Sequence, residues 1–254
     1  MSKIIDKVKD AVHRSHRSSS LSLTVPLAGK KVGPIGFGLM GMADSKFIII
    51  CTVPLANNQT GMTWRTNPPP AEQSYKAMKA ALAAGANFWN GGGGYGSPER
   101  NSLHLLNEYF TKYPKDVEHL VVSIKGGLIP GQMTPDSSEQ NVKRSIDECL
   151  RLLDGKRFLD LFECSRVDPN VPYETTIAAI SKYVEAGMIG GISLSEVGAE
   201  DIRKAASVAK ISAVEVEFSL FSTEILENGV ASTCTELGIP IIAYSPMSRG
   251  LLVS

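Results

Sequence analysis

A phenol, an amine and an amide fall in this chain where strand ends would carry them, and together they suggest proton transfer to a polarised oxygen. Residues 87–96, NFWNGGGGYG, pass from an apolar run through Asn90 into four glycines and then Tyr95. Glycine tolerates positive φ and lets other groups come close, so the run predicts a tight turn with room above it, into which Tyr95 would point. A glycine-rich surface loop whose tyrosine covers an apolar neighbour is the alternative on these residues alone. Lys125 closes a second apolar run, VVSIK, just before Gly126 and Gly127. In a barrel of parallel strands, groups at the carboxyl ends share one mouth, and an ammonium beside a phenol favours phenolate. The expectation is a Tyr95 pKa below the ordinary phenol value and a stronger proton donor. A lysine that merely reaches solvent is the alternative.

Such a site needs elements to hold it, and the chain supplies them from Ala71 onward. Helical patterns cover residues 71–84, 98–112, 138–153, 173–186, 199–209 and 223–237. Ser138 before Glu139 reads as a helix start, while Gly85, Gly187 and Gly238 read as stops. Between them lie apolar runs at 88–90, 120–125, 159–163, 189–194, 213–218 and 240–244, and the run 32–37 adds a seventh strand in front. This alternation predicts an α/β fold with right-handed crossovers and a parallel sheet, either closed as a barrel or opened as a doubly wound fold. A (β/α)8 TIM barrel needs eight strands. Seven are read before Ser254, so a barrel here would be truncated after the seventh strand, short of roughly 60 residues at about 30 per unit.

Composition excludes several functions. The 254 residues are 43% hydrophobic and 20% charged, ordinary for a globular chain able to bury a large core. Net charge is zero, from 26 basic and 26 acidic side chains, so no overall field attracts nucleic acid or anionic lipid. Cys51, Cys149, Cys164 and Cys234 form no CxxC pair, which argues against zinc and a disulfide framework and for a reduced, cytoplasmic setting. His13, His16, His104 and His119 lack ligand spacing, and His104 reads as structural or solvent-facing within a helix. The longest mostly apolar run, residues 47–56, contains Thr52 and Pro54 and is too short to span a membrane. Residues 1–30 read as a weakly ordered leader, with the main unit at 31–254.

The front of that unit is irregular. Gly36, Gly38 and Gly41 fit G-x-G-x-x-G, but no helix pattern follows and no carboxylate stands near residues 55–60 to bind a ribose, so a Rossmann role is not supported. Gly61 and Met62 repeat Gly41 and Met42, and the piece at about 43–60 has neither amphipathic period nor turn logic. It reads either as an unspliced intron or as a genuine loop insertion.

Taken together, the motifs NGGGGYG, VVSIKGG, LFECSRVDP, GISLSE, VEVEFSLF and AYSPMSRGLL resemble the strand ends of the aldo-keto reductases, over about residues 32–252 apart from the interruption. GLMGM and ANFWNGG are most similar to the fungal pyridoxal reductase-like branch. The resemblance implies a truncated (β/α)8 barrel, NADPH as cofactor, and reduction of an aldehyde or ketone, pyridoxal to pyridoxine among them, in vitamin B6 metabolism. It casts Tyr95 as proton donor and Lys125 as the residue that tunes it. Asn90 stands where the family carries a carboxylate, and Ser165 where it usually carries a histidine that bonds the carbonyl oxygen.

For the cofactor, the resemblance implies Ser195, Glu196 and Glu215 at the carboxamide and Tyr244 stacked on the nicotinamide. Ser245, Met247 and Arg249 would lie near the pyrophosphate, and Gly38 and Leu39 at the front of the cleft, with Trp64 as a substrate-pocket wall. Asn90 can hydrogen-bond but brings no charge, and Ser165 brings a single donor, so weaker electrostatic support of the reaction is expected. A nicotinamide-binding regulatory module without turnover, or an inactive fragment, fits the same substitutions.

Overall fold

The computed structural model describes residues 24–40, 70–248 and 251. A short antiparallel hairpin, β1 (Val25–Leu27) and β2 (Lys30–Val32), leads into β3 (Phe37–Gly38). Then come α1 (Ala71–Ala83), β4 (Phe88–Gly92), α2 (Ser102–Lys112), α3 (Pro114–Val117) and β5 (Val121–Gly126). The alternation continues through α4 (Glu139–Leu153), β6 (Leu161–Cys164), α5 (Tyr173–Glu185), β7 (Ile192–Ser195), α6 (Ala199–Val208) and β8 (Ile211–Glu217). A 3₁₀ turn (Glu224–Leu226), α7 (Val230–Leu237) and β9 (Ile241–Tyr244) complete the described chain.

Strands β3 to β9 form one seven-stranded sheet in sequence order, every neighbouring pair parallel. This is the wall of a (β/α)8 barrel truncated after its seventh strand, with β3 and β9 as its edges. The β9 burial is partial, as an edge strand's should be. The expected insertion at about 43–60 lies outside the described residues.

Strand alternation sorts the side chains into two cores. Trp89, Val122, Ile124, Phe162, Leu194, Val214 and Val216 face the helices and join their apolar sides in the larger cluster. The intervening residues point into the barrel. At its amino end Phe88, Val121, Leu161 and Ala213 pack with Leu27 and Val32 of the hairpin, which plugs the bottom. Residues 24–30 are thus part of the fold, and the boundary expected at residue 30 falls inside the hairpin. Asp160 fastens the plug: it accepts from Lys30 Nζ at 2.6 Å, Arg157 Nη2 at 2.5 Å and Val122 N at 2.8 Å.

Local chemistry explains the element ends. Ser138 caps α4 through Asn141 N, and Val142, Ile146, Cys149 and Leu153 turn one stripe of that helix to the sheet. Helix α2 starts later than expected, at Ser102, because Asn101 accepts from Leu103 N and His104 N while His104 Nδ1 accepts from Asn101 N. His104 is therefore a capping residue. The single helix expected over 223–237 is broken, since Gly229 takes φ 88° and separates the 3₁₀ turn from α7.

Candidate active site

Parallel register sets the site. Gly92 stands beside Lys125 across β4 and β5, and Lys125 beside Glu163 across β5 and β6. Asn90, Lys125, Glu163, Ser195 and Glu215 are therefore inward residues of five successive strands, near their carboxyl ends. Their side chains meet. Lys125 Nζ lies 2.7 Å from Glu215 Oε1 and 3.1 Å from Glu163 Oε1, and donates to Ser195 Oγ at 3.1 Å. Asn90 Nδ2 donates to Glu215 Oε2 at 2.7 Å and to Glu163 Oε1 at 3.3 Å.

Tyr95 stands over this cluster. The turn after β4 folds back through Gly93 N to Lys125 O at 2.9 Å and Tyr95 N to Gly92 O at 3.1 Å. The half-buried phenol ring lies against Gly92, whose absent Cβ would sit 3.2 Å from the ring. Tyr95 and Lys125 thus converge at one mouth, as the strand-end argument required. Among the described residues the Tyr95 hydroxyl has no hydrogen-bond partner, so it can serve a ligand.

The electrostatics differ from expectation. Burial pushes the Tyr95 phenol up to about 12, and Lys125, which pulls it down, is opposed by Glu215 and Glu163. The phenol is thus raised where Lys125 alone was expected to lower it, because burial outweighs the ammonium and the two carboxylates oppose it. Burial likewise works against the charge on Lys125, but the carboxylates of Glu163 and Glu215 outweigh it and hold the amine above its usual range. Glu215 is raised to about 8 by burial and by Glu163, with Lys125 acting in the opposite sense.

The remaining expected residues divide. Ser165 is at the mouth, but its hydroxyl donates to Gly126 O at 3.0 Å, away from the role of bonding a substrate oxygen. Glu215, expected at the carboxamide, is an ion-pair partner of Lys125. Glu196, held at φ 54°, accepts from Glu217 N at 2.9 Å. Tyr244 is half-buried on the edge strand, and burial together with Glu196 raises its pKa. Ser245 follows at φ 51°, and Met247 is exposed.

Gly38 pairs with Asn90 across β3 and β4, and among the described residues nothing beyond its chain neighbours lies within 4 Å of where its Cβ would be. Leu39 donates its N–H to Asn90 O at 2.8 Å, but its side chain is fully buried on the helix side, so only its backbone is near the mouth. Trp64 and Arg249 lie outside the described residues. Glu163 was missed by the sequence reading. The signal was available: in LFECS it lies two residues before Ser165 and so on the same strand face. Among the described residues no cluster of His, Cys, Asp or Glu is arranged to hold a metal, and no helix is long and apolar enough to cross a membrane.

Comparison with known proteins agrees with this architecture. The chain is 43% identical over 225 residues to a probable pyridoxal reductase 2 of Schizosaccharomyces pombe, covering 88% of this chain and 62% of the relative. It is 38% identical over 208 residues to a putative pyridoxal reductase of Saccharomyces cerevisiae, covering 75% and 58%. The chain thus spans about three fifths of the length of these curated relatives. Among solved structures, the glycerol dehydrogenase of Gluconobacter oxydans superposes with a TM-score of 0.73 at 18% identity, over 91% of this chain and 66% of that one. A thermostable aldo-keto reductase bound to the inhibitor epalrestat gives 0.68 at 21% identity, over 91% and 76%. At such identities these two speak for the fold alone. The Aldo/keto reductase family model matches residues 57–254, and with a match over that much of the sequence this chain belongs to the aldo/keto reductase family.

Proposed function

We propose that the chain carries the catalytic half of an NADPH-dependent reductase that converts an aldehyde or ketone to an alcohol, with Tyr95 as proton donor. The observation that carries this reading is the Tyr95 ring against Gly92, on the strand position next to Lys125, with the hydroxyl left for a ligand. A phenol raised to about 12 stays protonated at neutral pH and can give its proton to an oxygen that gains negative charge. Lys125 supports that transfer by its field, while Glu163, Glu215 and Ser195 fix where its ammonium sits.

The residues present suit a nicotinamide. Tyr244 offers an aromatic face, Ser195 a hydroxyl and Glu196 an acceptor for an amide N–H, and among the described residues nothing beyond their chain neighbours lies within 4 Å of the Cβ positions of Gly38 and Gly93. When bound, that group supplies the hydride for the carbonyl carbon. Ser195, Glu196 and Tyr244 would hold and orient it, with Ser245 and Met247 toward its phosphates. Pyridoxal is the first substrate to test, given the two yeast relatives above. A reduced, cytoplasmic setting suits the free, buried thiols of Cys149, Cys164 and Cys234.

A second reading, a nicotinamide-binding module without turnover, is favoured by one contact: the Ser165 hydroxyl is committed to Gly126 O. The two separate by experiment. Purified protein is titrated with NADPH by fluorescence and assayed with pyridoxal by NADPH oxidation. Turnover that Tyr95→Phe abolishes supports the reductase. Binding without turnover supports the module, and the absence of both overturns each.

A further inference from the structure

Lys125 faces two carboxyl groups, and the charge there does not balance if both are ionised. Glu163 and Glu215 come from different strands, and Lys125 and Asn90 each bridge the two. The side chains of Lys125, Glu163 and Glu215 are only 7%, 0% and 5% exposed. One ammonium with two carboxylates leaves a net negative charge at that depth, which a low-dielectric interior strongly disfavours. A single proton on the pair makes the cluster neutral.

Two contacts point the same way. Among the described residues Glu163 Oε2 is buried without a hydrogen-bond partner, a state that suits a carboxylate poorly. Lys125 and Asn90 each contact both Glu163 Oε1 and the Glu215 carboxyl, which brings two acids together on the same two donors with one cation between them.

We propose that Glu163 and Glu215 are positioning residues of this site, a carboxyl pair that holds one shared proton and presents one negative charge to Lys125. The pair thereby does from β6 and β8 what a carboxylate at position 90 would do from β4. Asn90 changes role accordingly. As a neutral donor to both carboxyl groups it ties the pair together, whereas an aspartate there would add a second negative charge against a single ammonium. The titratable groups facing the pair are Lys125 from β5 and Tyr95 from the turn after β4, while Cys164 on β6 and Tyr173 from α5 feel Glu163 from the helix side and Arg166 acts on Tyr95 from just beyond β6.

The proposal deepens the reductase reading and rests on it for kinetics alone. The test compares the full chain with Glu163→Gln, Glu215→Gln, the double variant and Asn90→Asp. Infrared spectra at neutral pH should show the C=O stretch of a buried protonated carboxyl, lost in each single variant. Tyr95 titration, isolated by difference against Tyr95→Phe, should move by less than about half a unit in each single variant, because each keeps one ammonium and one carboxylate. In the double variant it should fall by about a unit or more, since the phenolate then faces an uncompensated ammonium.

For pyridoxal reduction, each single variant should keep kcat within about fivefold, while the double loses tenfold or more with KM little changed. Asn90→Asp should lower kcat, by about tenfold. Absence of the carboxyl band from the parent chain overturns the proposal, as does a single variant that shifts Tyr95 as far as the double. If the double variant does not fold, the infrared band and the single-variant titrations still decide. A parent chain that shows the band and the titrations without pyridoxal turnover defeats the reductase reading and leaves the shared proton supported.

Discussion

Gly92 and Tyr95 are in contact through an absent side chain: a Cβ on Gly92 would stand 3.2 Å from both Cγ and Cδ1 of the tyrosine ring. That closeness lets the phenol lie over the strand position next to Lys125. Gly92→Ala should push the ring away from the mouth. The expected result is a fall in kcat of about tenfold or more for carbonyl reduction, with a stability loss of about 1–3 kcal/mol from overpacking. Steady-state kinetics and urea denaturation of the same preparation check both parts.

Tyr95→Phe removes the proposed proton donor while keeping the ring. It should lower kcat by about 10²–10⁴-fold and leave NADPH binding, followed by fluorescence, within about threefold. Because the phenol is raised to about 12, it keeps its proton across the neutral range and well into the alkaline. A difference titration in the ultraviolet should therefore show no ionisation of Tyr95 by pH 10. Ionisation below pH 9 would show that Lys125 dominates the phenol after all.

Glu215 gives the chain a pH-dependent stability. Its pKa is raised from 4.5 to about 8, so the folded state binds more protons than the unfolded state between those values. Its contribution is full below about pH 4.5 and is lost as pH rises through about 8, with a slope of up to about 1.4 kcal/mol per unit. Urea midpoints should accordingly fall from pH 5 to pH 8.5. Glu215→Gln should flatten that fall, and an unchanged slope would count against the raised carboxyl.

At the opposite end of the barrel, Asp160 accepts from Lys30, Arg157 and Val122 N while only 3% of its side chain is exposed. Asp160→Ala leaves the Arg157 guanidinium and a strand N–H without that partner, and loosens the hairpin plug. A loss of about 3–5 kcal/mol is expected by denaturant titration, with Asp160→Asn less costly because it keeps an acceptor. A loss below about 1 kcal/mol would show that the plug is held by Leu27 and Val32 alone.

Much of the molecule could be read from the chain before any coordinates. Periodicity, helix starts and glycine stops located five helices and six of the sheet strands to within a few residues, because each depends on neighbours close in sequence. The same local logic put Tyr95 and Lys125 at adjacent strand ends. It failed where a single backbone angle decided the matter: Gly229 breaks a pattern that reads as one helix over 223–237, and Asn101 with His104 delays the start of α2. The run 32–37 likewise divides into the end of the hairpin and the start of β3.

What the amino-acid order determined by itself, then, was the family, the strand-and-helix alternation and the meeting of a phenol with an amine. Only the tertiary structure decided which charges surround that amine. Lys125 and Glu163 lie 38 positions apart, and Asn90 and Glu215 lie 125 apart, so their contacts depend on sheet register and barrel curvature. Those contacts turn Asn90 from a missing carboxylate into the donor that joins two others. They also leave Ser165 bonded to its own neighbouring strand, because a hydroxyl takes the nearest acceptor that packing offers.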